Sequence, residues 1–309
     1  MRPLVCRLVA FVAARAGAGG AGAKLRQLST DLVRAEAPSD VVGGRRVAVK
    51  LPGRVGRDQI ATALRDGGWF GFEPPMPSVF AACAATYPGV VYDVGANTGF
   101  YTALAAAANK ANTVHAFEPF PPVLADLRST LRVNRCGGRV HVEASAVGSA
   151  LGDATLYIPL QDHGLVETSA TLSPDFKDSY SASIPVQVMT LDSYDDERQP
   201  GRVTLVKIDV ESLEIEVLRG ATRLLATHRP LVFCEVLPSG DAAGIEQLRR
   251  EARYTDIRLH RAQAIVGDVV GFDPDGWNHL LVPDEKVDAI VPLLRSCDLA
   301  VEERSATKP

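Results

Sequence analysis

Residues 90–102 read VVYDVGANTGFYT. Val90-Val91-Tyr92-Asp93-Val94 is a short apolar run, rich in β-branched side chains and closed by Gly95. That is the pattern of a strand buried on both faces of a parallel sheet. Phe100 to Asn109 is alanine-rich and reads as a helix. Between them, Gly95-Ala96-Asn97-Thr98-Gly99 forms a strand-to-helix turn, where glycine lets a ligand come close to the backbone. In an open α/β sheet, ligands sit beyond the carboxyl ends of the strands, and this turn is such an end.

The same rhythm runs outward in both directions. A short helix is expected over Val79 to Thr86 and a strand over Thr113 to Phe117, ending at Glu118. Pro122 to Asn134 places Val123, Leu124, Leu127 and Leu131 at helical spacing, and Val140 to Ala144 reads as a third strand. Ala154 to Pro159 and Ile184 to Met189 are β-like with polar residues between them, which predicts a β-rich insertion. Strands follow at Thr204 to Asp209 and Pro230 to Glu235, then Tyr254 to Leu259 and Trp277 to Val282; helices are expected over Leu213 to Thr227 and Gly244 to Arg253. Repeated strand–helix order argues for a mostly parallel, doubly wound sheet.

Before this body, Lys24 to Ala37 reads as a helix and Val41 to Leu51 as a strand pair around Gly43-Gly44. Gly67 to Met76 is dense in glycine, aromatics and proline, so it is no long helix. It is read either as a packed plug or as a wall over a ligand pocket. At the start, Arg7 and Arg15 leave only a short apolar run and no clear Ala-x-Ala site. A short amphipathic helix and a Gly/Ala linker, Ala16 to Ala23, are expected there, in a cytoplasmic protein with at most peripheral membrane association. The division expected is an N-terminal extension over 1–66 and a catalytic domain over 67–309.

The chain has 309 residues, 46% hydrophobic and 23% charged, with a formal net charge of -4. These values exclude disorder throughout and argue against a nucleic-acid binder held by a basic face. No uncharged stretch reaches the ~20 residues of a membrane span. Cys6, Cys83, Cys136, Cys234 and Cys297 have no CxxC spacing, so neither a disulfide framework nor a zinc site is expected.

The carboxylate of Glu118 can accept two hydrogen bonds from a ribose diol. A dinucleotide loop wants G-x-G-x-x-G, and G-A-N-T-G does not meet that spacing. Asp93 before the first glycine would repel a pyrophosphate but suits the cationic amino-acid end of a ligand. S-adenosylmethionine, with a sulfonium, a ribose and an amino-acid group, fits better than NAD.

Taken with VHAFEPFP at 114–121, LRVNRCGGRVHVEASAVGSALGDATLY at 131–157, MTLDSY at 189–194, LVKIDVESLEIEVLRGA at 205–221, RPLVFCEV at 229–236 and NHLLVP at 278–283, the chain resembles the FkbM-type S-adenosylmethionine-dependent methyltransferases. The resemblance implies a class I methyltransferase fold, Rossmann-like, with a seven-stranded sheet and one reversed strand near its edge. It implies that Asp93, Gly95, Asn97 and Gly99 line the methionine end of the cofactor. Glu118 would bind the ribose, Pro119 and Phe120 would flank the adenosine, and Ala146 and Val147 would contact the adenine. Asp209 and Glu211, with Lys207 beside them, would position or deprotonate an acceptor hydroxyl. His163, Thr168, Ser169 and Glu235 would face that acceptor, a small molecule such as a sugar, glycolipid or secondary metabolite, although His163 also reads as an exposed loop histidine. The family's glycine after the glutamate is Ser212 here, which puts the geometry of Glu211 in question. Glu214 is placed near the site and Glu216 on the surface. His279 is read as a packed histidine, and no required metal is expected. Two further readings are an N-methyltransferase on the same fold and a non-catalytic cofactor-binding scaffold.

Overall fold

The apolar runs assemble into a nine-stranded sheet. The structure, a computed structural model, describes residues 32–37, 46–52, 58–159, 169–176 and 179–304. The body begins with α1 (Gln59–Gly67), a 3-10 turn at Gly68–Gly71 and α2 (Met76–Thr86). Then come β3 (Val90–Val94), α3 (Phe100–Ala108), β4 (Thr113–Phe117), α4 (Pro121–Asn134) and β5 (Val140–Glu143). β6 (Ala146–Val147), β7 (Gly152–Pro159) and β8 (Tyr180–Met189) form a separate three-stranded sheet, the expected insertion. The chain returns through α5 (Leu191–Arg198), β9 (Val203–Ile208), α6 (Glu214–Arg219), α7 (Thr222–His228), β10 (Leu231–Glu235), α8 (Ala242–Glu251) and β11 (Tyr254–His260). β12 (Gln263–Val266), β13 (Asn278–Pro283), α9 (Val287–Ser296) and β14 (Ala300–Glu303) complete it.

The large sheet runs β14-β12-β11-β13-β10-β9-β3-β4-β5. β5, β4, β3, β9 and β10 are parallel, and β13 is the expected reversed strand, antiparallel to both β10 and β11. The seven strands from β5 to β11 are those the sequence predicts. β12 and β14 extend the edge beyond them.

Alternate strand residues face opposite layers. Val91, Val114, Leu205 and Phe233 join a core beneath α2, α3 and α9, while Tyr92, Phe117, Val206 and Cys234 join one beneath α5 to α8. Burial on both faces is why β3 reads as an unbroken apolar run.

Several details differ from the sequence reading. Leu32–Glu36 (β1) is a strand, not the end of a helix; it pairs with β2 (Ala48–Pro52) with Val33 and Ala35 turned inward. Both strands and α1 contribute buried side chains to the core under α2 and α3. The single helix expected over Leu213 to Thr227 is two, α6 and α7. They part at Gly220, where an added Cβ would fall 2.1 Å from the Gly148 carbonyl oxygen. The readings for Met1 to Ala23 and for Gly43-Gly44 lie outside the described residues. Among the described residues no helix is long and apolar enough to cross a membrane, and Cys83, Cys136, Cys234 and Cys297 are buried free thiols.

Candidate functional site

β3 leads away through β4 to β5 on one side, while β9 and β10 lie on the other, so the winding reverses between β3 and β9. Two cavities open there, at the carboxyl ends of the strands. The first, of about 640 Å³ including its mouth, has Glu118 and Pro119 on one wall and Ala146, Val147 and Leu156 on another. The second, of about 740 Å³ including its mouth, holds Glu73, Tyr101, Lys207 and Glu235. Gly95, Asn97, Asp209 and Glu211 line both.

Gly95 makes this shared wall possible. Its φ is +74°, and a Cβ would lie 1.8 Å from the Asp209 carbonyl oxygen. The β3 and β9 loops therefore touch only with glycine here. The contact is tied by Asp209 N–H donating to Val94 at 3.1 Å, and by the Gly95 and Ala96 N–H groups donating to Phe117 at 3.0 Å.

Glu118 is buried at the floor of the first cavity. Its Oε2 accepts from the Asn97 N–H and its Oε1 from the Phe120 N–H, each at 2.9 Å. Each carboxylate oxygen has a second lone pair, so a vicinal diol can still be received. Burial, only partly opposed by these two amides, pushes its carboxyl up to about 7. The small apolar faces of Ala146 and Val147 suit a flat ring. Asp93 and Gly99 do not reach either wall. Asp93 is 1% exposed and accepts from the Thr102 hydroxyl of α3. Gly99, at φ +87°, turns the chain into α3. Both shape the loop from behind.

At the end of β9, the Lys207 ammonium lies 2.9 Å from Asp209 Oδ2 and 4.9 Å from the centre of the Tyr101 ring. Burial would lower the Lys207 pKa, but the charges of Asp209, Asp93 and Glu73 outweigh it and hold it above its usual range. Glu211 and Ser212 both take left-handed backbone angles, φ +57° and +80°. Three contacts hold that turn. The Thr171 hydroxyl donates to the Glu211 carbonyl at 3.1 Å, Ser212 and Ser239 share a hydroxyl hydrogen bond of 2.6 Å, and the Glu214 carboxylate accepts the N–H groups of Val210 and Ser212. Serine thus keeps the angle expected of glycine. Glu214 braces the turn without lining a cavity, and burial pushes its carboxyl up to about 7. Glu216 is a surface acid, paired with Arg219.

Glu235, at the end of β10, lines the second cavity. Burial, then the charges of Asp209, Glu73 and Glu211, push its carboxyl up to about 10. Ser169 lines neither cavity, although Ala170, Thr171 and Leu172 after it line the first. His163 and Thr168 lie outside the described residues. His279 is fully buried and bonded to Asp256 at 3.0 Å, as a packed histidine would be. Among the described residues no group of three or more His, Cys, Asp or Glu side chains is placed to hold a metal ion.

Glu73 and Tyr101 were not singled out as site residues from sequence. The Tyr101 hydroxyl donates to Glu73 at 2.9 Å, and burial followed by the charge of Asp209 pushes Glu73 up to about 7. The available signal was the Gly67 to Met76 segment, which both packs inward and walls a cavity. Trp69 packs inward, its indole N–H on Ser78 at 2.8 Å, while Phe72 and Glu73 wall the second cavity.

Comparison with known proteins follows the same residues. The profile described as "Methyltransferase FkbM domain" matches residues 93–265, more than half of the chain. The chain belongs to the FkbM methyltransferase family. This FkbM domain is 32% identical over 157 residues to 31-O-demethyl-FK506 methyltransferase FkbM of Streptomyces tacrolimicus, covering 43% of this chain and 60% of that relative. It is 28% identical over 180 residues to hexuronic acid methyltransferase AglP of Haloferax volcanii, covering 57% of this chain and 69% of that relative. The chain thus spans less than two thirds of the FkbM relative. Among solved structures, the crystal structure of methyltransferase FkbM from Methylobacillus flagellatus KT is similar to this FkbM domain at a TM-score of 0.42 and 17% identity, over 63% of this chain and 43% of that one.

Proposed function

We propose that this FkbM-family protein is an S-adenosylmethionine-dependent O-methyltransferase acting on a hydroxyl of a small molecule: a sugar, glycolipid or secondary metabolite. The observation that carries the reading is the pair of adjoining cavities sharing Gly95, Asn97, Asp209 and Glu211 at the reversal of the sheet. One cavity has the diol acceptor and small apolar walls that an adenosine needs. The other has the carboxylates that an alcohol nucleophile needs. The two named relatives are described as methylating a macrolide and a hexuronic acid, which supports the small-molecule class.

Glu118 would hold the ribose diol, Pro119 the adenosine, and Ala146 and Val147 the adenine. Gly95 and Asn97 would face the methionine end, with Asp93 and Gly99 supporting them from behind. When bound, the cofactor supplies an electrophilic methyl group already activated by the sulfonium. The chain then has to align the acceptor and relieve it of a proton. Asp209 or Glu211 would take that proton, and Lys207, 2.9 Å from Asp209 Oδ2, would orient Asp209. The catalytic domain would be 67–309, with Gln59 and Ile60 of the preceding segment adding to the acceptor wall.

The test is calorimetric titration of S-adenosylhomocysteine into wild type and Glu118→Ala, each checked for folding by thermal melting. Micromolar binding to wild type, weakened at least tenfold in the variant, is expected. A folded wild type that binds no S-adenosylhomocysteine overturns the reading.

A further inference from the structure

Away from the cavities, charge divides the chain unevenly. Residues 1–50 hold nine basic and three acidic side chains, whereas the whole chain has a formal net charge of -4. The basic excess continues onto α4, which packs against β2. Asn134 at the end of α4 donates to the Lys50 carbonyl at 2.6 Å and accepts the Lys50 N–H at 2.9 Å. Arg128 and Arg132, four residues apart, share one face of α4, and Arg135 caps its end. All three are exposed, and none has an ion-pair partner among the described residues; Arg132 touches the Ser129 hydroxyl at 3.5 Å. On the neighbouring hairpin, Val33, Ala35, Val49 and Leu51 turn inward, which leaves Arg34 and Lys50 directly opposite each other on the outer face. Like charges in that position repel. One acid, Glu36, is shared by Arg34 and Arg46.

Two further features say what this face meets. The thirty residues before Asp31 contain Arg2, Arg7, Arg15, Lys24 and Arg26 and no acidic residue, and Leu4, Val5, Leu8, Val9, Phe11 and Val12 stand among the first three of these cations. They lead into β1, whose first residue, Leu32, is 50% exposed on the same face as Arg34. Phe70, in the 3-10 turn packed against β1, is 52% exposed. A nucleic-acid backbone rewards the cations alone, whereas a bilayer interface rewards cations and exposed apolar side chains together.

We propose that α4, the β1–β2 hairpin and the residues leading into it form a docking face for an anionic lipid bilayer. The arginines and Lys50 meet the headgroups, and the apolar residues enter the interface beneath them. The association is peripheral, since among the described residues no helix is long and apolar enough to cross a membrane. Neither contribution suffices alone: a single weak anchor binds reversibly, and a basic patch joined to an apolar segment makes the attachment stable. Glu36 neutralises only part of the face, so the attraction is electrostatic at long range and screened by salt. The proposal is independent of the methyltransferase reading and calls on no cofactor or acceptor.

The experiment is sedimentation of the full chain with sucrose-loaded vesicles, made of phosphatidylcholine alone or with about one third phosphatidylglycerol. Wild type should bind the anionic vesicles at least tenfold more tightly than the neutral ones, and the binding should weaken as salt rises from about 0.1 M to about 0.5 M. Joint replacement of Arg128→Gln, Arg132→Gln and Arg135→Gln should weaken it at least tenfold without changing the melting temperature. Leu8→Glu with Phe11→Glu should weaken it as well. A DNA duplex at the same salt, titrated in competition, should not displace the protein from the vesicles. No binding to the anionic vesicles overturns the proposal, as does equal binding to neutral ones. Unchanged binding in either variant, or displacement by the duplex, overturns it too.

Discussion

Ser212 shows how one residue can depart from a family pattern without changing the site. A left-handed angle at a non-glycine residue costs ~1 kcal/mol, and a buried hydrogen bond returns about the same. The Ser212–Ser239 hydroxyl pair therefore offsets the strain at φ +80°. Ser212→Ala keeps the strain and loses the bond, so it should lower unfolding stability by ~1 kcal/mol. Ser212→Gly should stay within about 0.5 kcal/mol of wild type, because strain and bond disappear together. Urea denaturation of both variants separates the two terms: equal losses would show that glycine relieves no strain, and an unchanged Ser212→Ala would show that the hydroxyl pair contributes nothing. The sequence marks this position as unusual. It does not reveal the compensation, because Ser239 lies on a different loop.

Among elements, the joint between α6 and α7 connects the cavity side of the sheet to the insertion. Gly220 has an ordinary φ of -78°, so its need for glycine is purely steric: the Gly148 carbonyl after β6 occupies the place of a Cβ. Gly220→Ala should cost ~2 kcal/mol by overpacking. It should also weaken S-adenosylhomocysteine binding, because β6 carries Ala146 and Val147 of the first cavity. Melting and calorimetry on the same sample check both, and a variant with unchanged stability would mean that the two segments slide apart freely. Helical periodicity ran through this joint unbroken, since the break is imposed by a strand more than sixty residues earlier in the chain. The elements that read correctly, such as β3 and α4, are those whose own residue pattern determines which face is buried.

Across the whole molecule, four buried or partly buried acids in and beside the cavities have raised carboxyls: Glu73, Glu118 and Glu214 to about 7, and Glu235 to about 10. A raised carboxyl holds its proton more tightly folded than unfolded. The stability it contributes is complete below the ordinary carboxylate range near 4.5 and is lost as pH rises through the folded value. The melting temperature of the ligand-free protein should therefore fall between about pH 5 and pH 8. Glu285, held down to about 2 by Arg229, works in the opposite direction and matters only in strong acid. A melting temperature that rises steadily over that interval would contradict the burial of these acids.

The sequence by itself determined the alternating architecture and the positions of Gly95, Glu118, Asp209 and Glu235 at strand ends, while the reversed strand near the edge came only from the family resemblance. Local periodicity and the chemistry of strand termini are properties of short segments, and short segments carry them intact. Only the tertiary structure decided that Asp93 and Gly99 stand behind the wall rather than on it, and that Glu73 joins Glu235 across a cavity. The pairing of Ser212 with Ser239 and the splitting of one helix into two also belong to the folded chain. Each of these depends on which distant backbone or side chain fills the neighbouring space, and that is settled when the layers pack.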